Sequence, residues 1–385
     1  MAVVVVCPFF SYIGFFMKHM VLFLFLFVII VAAQYYTSLR IWQITPNPPF
    51  LKVISIVLYN LGFVSLLSYF ALHLNGGKIL SFEFSSAIYN SGNAFLILLL
   101  YAFLLFALLD VAKMFHLIPP SYLHSSWLGF SFVLITLSVL MIGGNRHYQN
   151  KYCEELAFAT EKKLPQPLKI IFLSDVHLGY HNTRETLSEW VGLINEKNPD
   201  LVLIAGDLID FSVIPLTEQN MAEEFYKIKA PIYACMGNHE YISGEEKAKE
   251  FFKKAGIRLL QDEALLLQKY GLLIVGRDDR FNKSRKTLPQ LIEGYETDSL
   301  YTIVLDHQPY HLEEAEKSGI DLQLSGHTHD GQVWPLNYIT SMMYENSHGY
   351  SQRGKTHYYV SSGIGIWGGK FRIGTRSEYV VITIE

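Results

Sequence analysis

The chain is poor in cysteine and in charge. Its 385 residues include 3 cysteines, and 17% of them are charged. Cys7, Cys153 and Cys235 are an odd number and lie far apart, which argues against a disulfide framework. A basic excess is also missing, because the formal net charge is -4 and no basic run or basic and aromatic stripe is present. We therefore expect no nucleic-acid partner.

The shortage of charge is concentrated before Gly144, where four strongly apolar runs follow one another. They cover 21–36, 53–74, 94–115 and 127–142. Each is near the roughly 20 residues that a helix needs to cross a bilayer. Buried helices of a soluble protein are the alternative, but four successive runs of this kind favour membrane spans. Residues 1–143 are predicted to be a membrane region with about four transmembrane helices. Asp110, near the end of the third run, is expected at the interface rather than at an intramembrane site.

Lysine and arginine predict the orientation of this region. With four spans, both of its ends lie on one side of the membrane. That side would carry Lys18, Lys78, Arg146, Lys151, Lys162 and Lys163, and the opposite side would carry Arg40, Lys52 and Lys113. Because cytoplasmic segments hold the basic excess, we expect a multi-pass cell-membrane protein with its C-terminal domain in the cytoplasm.

A polar connection over 144–167, with prolines at its end, is predicted to be a linker. Beyond it, short apolar runs alternate with the helical patterns at 187–194 and 221–228. The apolar runs are 168–173, 201–205, 232–236, 301–305 and 322–324. This alternation predicts an α/β domain over 168–385 whose loops converge on one site.

Potential metal ligands follow every one of these apolar runs. They are Asp175, His177, Asp207, Asn238, His307, His327 and His329. Asp175 and His177 are two residues apart, so in a continuing strand they would leave it in the same direction. The set mixes oxygen and nitrogen donors without cysteine, which argues against a structural zinc site and suits Mn, Fe or Zn. Seven ligands exceed what one catalytic ion with an open position uses, so two divalent ions that share a carboxylate fit the number.

Together, the motifs Asp-x-His, Gly-Asp-x-x-Asp, Gly-Asn-His-Glu, His and Gly-His-x-His resemble those of the calcineurin-like metallophosphoesterase superfamily. The resemblance covers about 168–385 and implies an α/β metallophosphoesterase domain, a β-sandwich flanked by helices. It implies one ion on Asp175, His177, Asp207 and His329 and a second on Asp207, Asn238, His307 and His327.

The same resemblance assigns a catalytic role to His239, which would stabilise the transition state or protonate the leaving oxygen. Asp210 would orient His239 through a hydrogen bond. A surface loop histidine and a helix N-cap are the respective alternatives.

Two features bear on the substrate. Phe211 follows the second aspartate of Gly-Asp-x-x-Asp, where phosphoprotein phosphatases carry arginine, so serine/threonine phosphatase activity is disfavoured. The tail at 361–378 is similar to that of a bacterial membrane-associated subgroup, some of whose members resemble UDP-2,3-diacylglucosamine pyrophosphate hydrolases. This resemblance implies a lipid-linked phosphodiester or pyrophosphate as the substrate, with the lipid bilayer as a partner.

Three further stretches leave alternatives open. Lys370 and Arg372 could meet a substrate phosphate or be solvated surface charges. The glycines at 363–368 match a dinucleotide fingerprint, but the remaining chain is too short for the βαβ unit, so close backbone passage near the site is preferred. The apolar segment 334–344 is either a packed core helix or an exposed flap that touches a bilayer or acyl chains.

Two rivals to a lipid phosphoesterase remain at this point. One is a tethered phosphodiesterase for a soluble nucleotide, and the other is an inactive scaffold whose metals only shape a binding surface. His239 beside a full ligand set counts against the scaffold. The sequence predicts no particular oligomeric state.

Overall fold

The computed structural model describes residues 6–74, 80–162 and 164–385, with side chains for 24–68, 80–162 and 164–385. The chain divides into two compact units. The helical unit comprises Met1–Ser68 and Ser91–Val139, and the sheet unit comprises Tyr69–Asn90 and Leu140–Glu385.

Long apolar helices form the first part of the chain. They are α1 (Val6–Ile44), α2 (Pro49–Leu74), α3 (Phe82–Met114) and α4 (Trp127–Gln149). Within the part of the chain that the structure describes, four helical segments are long and apolar enough to cross a membrane. These are Leu24–Ile44, Pro49–Ser68, Phe82–Met114 and Trp127–Gln149. The predicted apolar helices are confirmed, although α1 ends later and α3 begins earlier than the apolar runs.

Polar residues near the carboxyl ends of α1 and α3 are paired with each other. In the helical unit, Arg40 lies 2.6 Å from one carboxylate oxygen of Asp110. The hydroxyl of Tyr36 donates a hydrogen bond of 2.5 Å to the other oxygen. The ion pair lies about one turn before the ends of α1 and α3. Of the lysines behind the orientation argument, Lys78 and Lys163 lie outside the described residues.

The sheet unit contains two six-stranded sheets and short helices. The first sheet has β1 (Lys151–Phe158), β2 (Leu168–Leu173), β3 (Leu201–Ala205), β4 (Ile232–Cys235), β5 (Arg258–Leu259) and β12 (Ser377–Ile384). The second has β6 (Glu263–Leu267), β7 (Leu272–Gly276), β8 (Tyr301–Leu305), β9 (Leu322–Ser325), β10 (Gly349–Arg353) and β11 (Thr356–Val360). The helices are α5 (Arg184–Glu196), α6 (Ile214–Glu218), α7 (Ala222–Phe225), α8 (Asn238–Ser243), α9 (Glu245–Lys254), α10 (Leu288–Ile292), α11 (Glu313–Lys317) and α12 (Leu336–Met343).

The strand order places the predicted site loops side by side. The first sheet runs β1-β12-β2-β3-β4-β5, with β2 to β5 parallel and β12 antiparallel to β2. The second runs β10-β11-β9-β8-β7-β6, with β7, β8, β9 and β11 parallel. Because parallel strands end at the same edge of a sheet, the loops after β2, β3 and β4 are neighbours, as are those after β8 and β9.

The two sheets pack face to face over one apolar core. Ile170 and Leu203 of the first sheet meet Ile274, Ile303 and Leu322 of the second, all of them fully buried. Further apolar clusters join each sheet to the helices on its outer face. Strands buried on both faces explain why the apolar runs are continuous rather than alternating. The predicted fold class, apolar helices followed by an α/β domain, is confirmed.

The stretch 144–167 differs from the predicted linker. Helix α4 continues to Gln149, and β1 (Lys151–Phe158) pairs in parallel with β12 as the edge strand of the first sheet. The difference has a physical reason: an edge strand keeps polar residues such as Glu154 and Glu155 on partly exposed faces, so its composition resembles that of a linker.

Candidate metal centre

The backbone at the strand ends turns the predicted ligands toward one another. Strand β2 ends at Leu173, so alternation along a strand does not aim Asp175 and His177, contrary to the sequence argument. Instead both residues have left-handed backbone, with φ of 51° and 45°. Asp207, with a φ of 53°, is also left-handed, and so are His327 and His329 after β9, with φ of 72° and 52°. Non-glycine residues in this region carry a conformational cost, and such residues cluster at functional sites.

A first cluster is formed by Asp175, His177 and His329, all buried. The Nε2 atoms of His177 and His329 are 3.2 Å apart. Oδ1 of Asp175 lies 3.8 Å from Nε2 of His177 and 3.4 Å from Nε2 of His329. Three donor atoms therefore face one common point.

A second cluster is formed by Asp207, His307 and His327. Oδ2 of Asp207 is 3.0 Å from Nε2 of His307, and Oδ1 of Asn238 is 3.2 Å from the same nitrogen. Oδ2 of Asp207 is also 3.7 Å from Nε2 of His177, which belongs to the first cluster. Asp207 thus lies between the two clusters. All seven predicted ligands lie in this one region, and their coordination of metal stays a prediction.

The donor set fits divalent cations. Asp175, Asp207 and Asp210 are at most 2% exposed, so their negative charge needs a compensating cation. Burial disfavours the charged form of His177, but the carboxylates of Asp175 and Asp210 outweigh it and raise the pKa of His177 to about 10. Burial likewise opposes ionisation of Asp207, yet His307 and His239 hold its pKa well below the usual value. Protons on histidine or metal cations can supply the required charge.

Asp210 and His239 are neighbours, but they are not joined as the resemblance implies. Nδ1 of His239 donates to the backbone carbonyl oxygen of Asp210 at 2.8 Å, whereas the carboxylate atom Oδ1 lies 3.8 Å from Nδ1. That same Oδ1 is 3.2 Å from Nδ1 of His177. The alternatives for the two residues are also excluded. His239 is not a surface histidine, because it is 8% exposed. Asp210 is not a helix N-cap, because the next helix begins only at Ile214. The carboxylate of Asp210 therefore faces a predicted metal ligand.

Glu240 has a structural role that the sequence analysis did not assign. Its buried carboxylate accepts hydrogen bonds from the backbone N–H groups of Asp207, Ile209 and Gly237, at 3.0, 3.0 and 2.7 Å. Burial and the charge of Asp207 raise the pKa of Glu240 to about 7. Glu240 thereby ties the loop after β3 to the start of α8. Its place three residues after Gly237, where capping-box acids occur, is the sequence signal that points to this role.

Two glycines allow the backbone to pass beside Asp175. A Cβ atom on Gly326 would lie 2.2 Å from Oδ2 of Asp175. Gly363 has a φ of 89°, and a Cβ there would lie 2.7 Å from Cβ of Asp175. Close passage of the 363–368 segment near the site therefore agrees with the geometry.

The two cations predicted to bind substrate have different surroundings. Arg372 is 0% exposed. Its guanidinium donates to the carbonyl oxygens of His329 and Ser362 and, at 3.1 Å, to the hydroxyl of Ser377. This placement favours a role in holding the loops of the site together. Lys370 is half-buried, and burial lowers the pKa of its ammonium group. Substrate contact by either residue stays a prediction.

A third cation, Arg280, was missed by the sequence analysis. It follows β7, and its guanidinium carbon lies 4.3 Å from the ring centre of Tyr310. The hydroxyl of Tyr310 donates to that of Tyr344 at 3.1 Å, and the ring of Tyr344 is 6.3 Å from that of His327. These contacts place Arg280 and two tyrosines at one border of the second cluster. The sequence around a single arginine in a polar loop does not indicate that the residue lies beside a ligand cluster.

The segment 334–344 was predicted to be either a packed core helix or an exposed flap, and the structure shows it exposed. Helix α12 has no buried residue among those described, and Met342 and Met343 are 80% and 60% exposed. Ile339 and Tyr338 are also more than half exposed. The core-helix alternative is therefore wrong. An apolar helix whose large side chains are between 37% and 80% exposed is a candidate contact surface.

Comparison with known proteins finds similar chains. A family model described as calcineurin-like phosphoesterase matches residues 168–331. An uncharacterised metallophosphoesterase from Campylobacter jejuni is 32% identical over 264 residues, which are 66% of this chain and 70% of that protein. Another, from Aquifex aeolicus, is 31% identical over 259 residues, which are 64% of this chain and 97% of that protein.

A vertebrate protein is also similar to this chain. A transmembrane protein with metallophosphoesterase domain from Danio rerio is 32% identical over 244 residues, which are 58% of this chain and 55% of that protein. The match therefore spans about half the length of this relative. The name of that protein joins a transmembrane part to a metallophosphoesterase domain, and this chain has four apolar helices of membrane-spanning length among its described residues.

Proposed function

Because the chain belongs to the calcineurin-like phosphoesterase family of metal-dependent phosphoester hydrolases, we propose that it hydrolyses a lipid-linked phosphodiester or pyrophosphate at a membrane, with two divalent ions. One observation carries the proposal. The carboxylate of Asp207 lies between two groups of buried ligand atoms, 3.0 Å from His307 and 3.7 Å from His177. A shared carboxylate between two nitrogen-rich clusters suits a pair of Mn, Fe or Zn ions.

The residues divide between two ions. Asp175, His177, Asp207 and His329 would hold one, and Asp207, Asn238, His307 and His327 would hold the other. When bound, such ions would neutralise the negative charge on the phosphoryl oxygens. They would also lower the pKa of a water molecule, so that it can act as a nucleophile at neutral pH. Glu240 and Arg372 keep the ligand loops in place through hydrogen bonds to their backbones.

His239 serves the leaving group in this proposal. Its Nδ1 proton is committed to the carbonyl oxygen of Asp210, so Nε2 is the nitrogen left to act on substrate. In the protonated ring, Nε2 gives its proton to the oxygen that departs from phosphorus. Positioned proton transfer of this kind contributes about a hundredfold to ten-thousandfold in rate.

A lipid-linked substrate is supported by α12 and by the apolar helices. Met342 and Met343 offer a large, adaptable apolar surface on the segment that follows the last predicted metal motif. We propose that this surface receives the acyl part of the substrate or the bilayer surface. The four helices anchor the protein as a multi-pass membrane protein, and the basic residues beside α4 favour a cytoplasmic catalytic domain. The similarity of the tail at 361–378 makes UDP-2,3-diacylglucosamine the substrate to test first.

The experiment compares two substrates in detergent micelles, UDP-2,3-diacylglucosamine and the water-soluble bis(4-nitrophenyl) phosphate. The double variant Met342→Asp, Met343→Asp places two charges on α12. We expect it to lose at least about tenfold in kcat/KM for the lipid and to keep the soluble activity, since only the apolar surface is changed. Tyr226→Asp, which charges a side chain 68% exposed after α7, is the matched control. Equal losses on both substrates, or none on the lipid, would contradict the lipid-linked substrate and favour a soluble one.

A further inference from the structure

Helix α3 is longer than a bilayer requires. Its 33 residues extend about 50 Å at 1.5 Å per residue, whereas a span needs roughly 20 residues. The excess lies at the amino-terminal end, where Glu83, Ser85, Ser86 and Asn90 make the helix polar. Residues 82–90 belong to the sheet unit. This part of α3 is therefore available for contacts within that unit.

Three residues on one face of α3 contact the loop that follows the first ligand motif. Phe82, Ser86 and Tyr89 are spaced four and three apart, which places them on the same side of the helix. Phe82 stacks on Tyr180 with 5.8 Å between ring centres, and the hydroxyl of Ser86 donates to the carbonyl oxygen of Tyr180 at 2.7 Å. The ring of Tyr89 stacks on that of His181, with centres 4.9 Å apart and planes inclined by 11°.

The hydroxyl of Tyr89 reaches the candidate metal centre. It donates to Oδ2 of Asp210 at 2.7 Å and accepts from the backbone N–H of Gly368 at 3.0 Å. Tyr89 is 2% exposed and Asp210 is equally buried, so water does not compete at this contact. Hydrogen bonds to a buried carboxylate are roughly twice as strong as neutral ones. Tyr89 therefore holds one oxygen of Asp210 and sets the direction of the other.

The other oxygen of Asp210 faces a predicted metal ligand. Oδ1 lies 3.2 Å from Nδ1 of His177, and the opposite ring nitrogen of His177 lies in the first ligand cluster. A carboxylate behind a metal-binding histidine orients its ring, and losing such a partner commonly weakens metal binding about ten- to a hundredfold. Tyr89, Asp210 and His177 thus form a continuous line of contacts from α3 to the cluster.

We propose that Tyr89 is a positioning residue through which α3 holds Asp210, and with it His177, in the geometry that binds metal. The inference rests on the proposed function in one respect, the role of His177 as a metal ligand. It goes further in making part of a predicted membrane helix necessary for a complete site. Residues 168–385 alone would bind metal more weakly than the full chain for this reason, whatever the substrate.

The test is a Mn²⁺ titration of the purified full-length protein by calorimetry. Asp210→Asn should weaken the affected site about ten- to a hundredfold, and Tyr89→Phe, which removes only the hydroxyl, about three- to tenfold. In the double variant the Tyr89 substitution should add almost nothing, since it acts through Asp210. Ser86→Ala is the matched control. It deletes another hydrogen bond of the same helix face and should leave the Mn²⁺ affinity within about twofold of wild type.

Kinetics separate a positioning role of Tyr89 from a general loss of structure. At subsaturating Mn²⁺, Tyr89→Phe should lower kcat for bis(4-nitrophenyl) phosphate while KM stays unchanged. Wild-type Mn²⁺ affinity in Tyr89→Phe, full additivity with Asp210→Asn, or an equal loss in Ser86→Ala would each overturn the inference. A wild-type protein that binds Mn²⁺ but hydrolyses no phosphoester would overturn the proposed function instead. The calorimetric comparison of Mn²⁺ affinities would still test whether Tyr89 positions the metal site.

Discussion

The imidazole of His239 is hydrogen-bonded to the backbone carbonyl of Asp210 and not to its carboxylate. Replacing the carboxylate should therefore leave His239 in place. At saturating Mn²⁺ we expect Asp210→Asn to lower kcat by about tenfold or less. His239→Asn should lower it by about a hundredfold or more, because the proton donor is lost. Steady-state hydrolysis of an aryl phosphodiester measures both. Equal losses would show that the carboxylate orients His239 after all.

The shared position of Asp207 predicts how many ions the site holds. Equilibrium dialysis followed by metal analysis should find two Mn²⁺ per wild-type chain, because Asp207 lies between both ligand clusters. Asp207→Ala should reduce the number to one or none at the same free Mn²⁺ concentration. His329→Ala, which removes a ligand of the first cluster alone, should leave one. A single ion in the wild-type protein would contradict the shared carboxylate.

Arg372 and Lys370 should differ in what their loss affects. Arg372→Met leaves the carbonyl oxygens of His329 and Ser362 without their buried donor, so we expect a stability loss of about 3 kcal/mol or more. Lys370→Met should change stability by less than about 1 kcal/mol, since its ammonium group is only half-buried. Chemical denaturation of the two variants makes the comparison. A stable Arg372→Met with a raised KM would instead support the substrate contact predicted from the sequence.

His348 should make stability fall as the pH rises. Burial disfavours its charge, but Glu378, 3.4 Å away, and Asp330 outweigh burial and the opposing Arg376 and raise the pKa of His348. The folded chain therefore binds this proton more tightly than the unfolded chain, whose histidine pKa is about 6.5. The stabilisation is complete below about pH 6 and disappears as the pH rises through the raised value.

Thermal melting between pH 6 and pH 9 checks the contribution of His348. The Tm difference between wild type and His348→Gln should be largest at pH 6 and should shrink as the pH rises. Glu378→Gln, which removes the main partner, should abolish the trend. A Tm difference between wild type and His348→Gln that stays constant or grows with pH would contradict the raised pKa of His348.

Much of the sheet unit could be predicted because its strands are buried on both faces. Runs such as Leu201–Ala205 and Tyr301–Leu305 are continuous apolar segments whose ends coincide with the observed strands. Polar residues placed directly after them lie at one edge of the fold for topological reasons, so the meeting of Asp175, Asp207 and His307 could be anticipated.

Other features depend on contacts that leave no local pattern. Tyr89 and Asp210 are 121 positions apart in the sequence, and Tyr89 lies just before the apolar run at 94–115 that predicts the third membrane span. His239 is hydrogen-bonded to the backbone carbonyl oxygen of Asp210 and not to its carboxylate. The spacing of the two residues in the sequence does not specify which of these oxygens is the acceptor. Composition also could not decide whether Met342 is in the core or in solvent, because the same apolar residues suit both.

The most direct test of the account is hydrolysis of bis(4-nitrophenyl) phosphate by the purified full-length protein with added Mn²⁺. Asp207→Ala and His239→Ala are measured beside it, and bound metal is determined for each. We predict turnover by the wild type, dependence on Mn²⁺, and losses of about a hundredfold or more in both variants. A wild-type protein that binds two Mn²⁺ ions yet is inert toward this diester, toward its monoester analogue and toward UDP-2,3-diacylglucosamine would contradict the account and identify the centre as a scaffold.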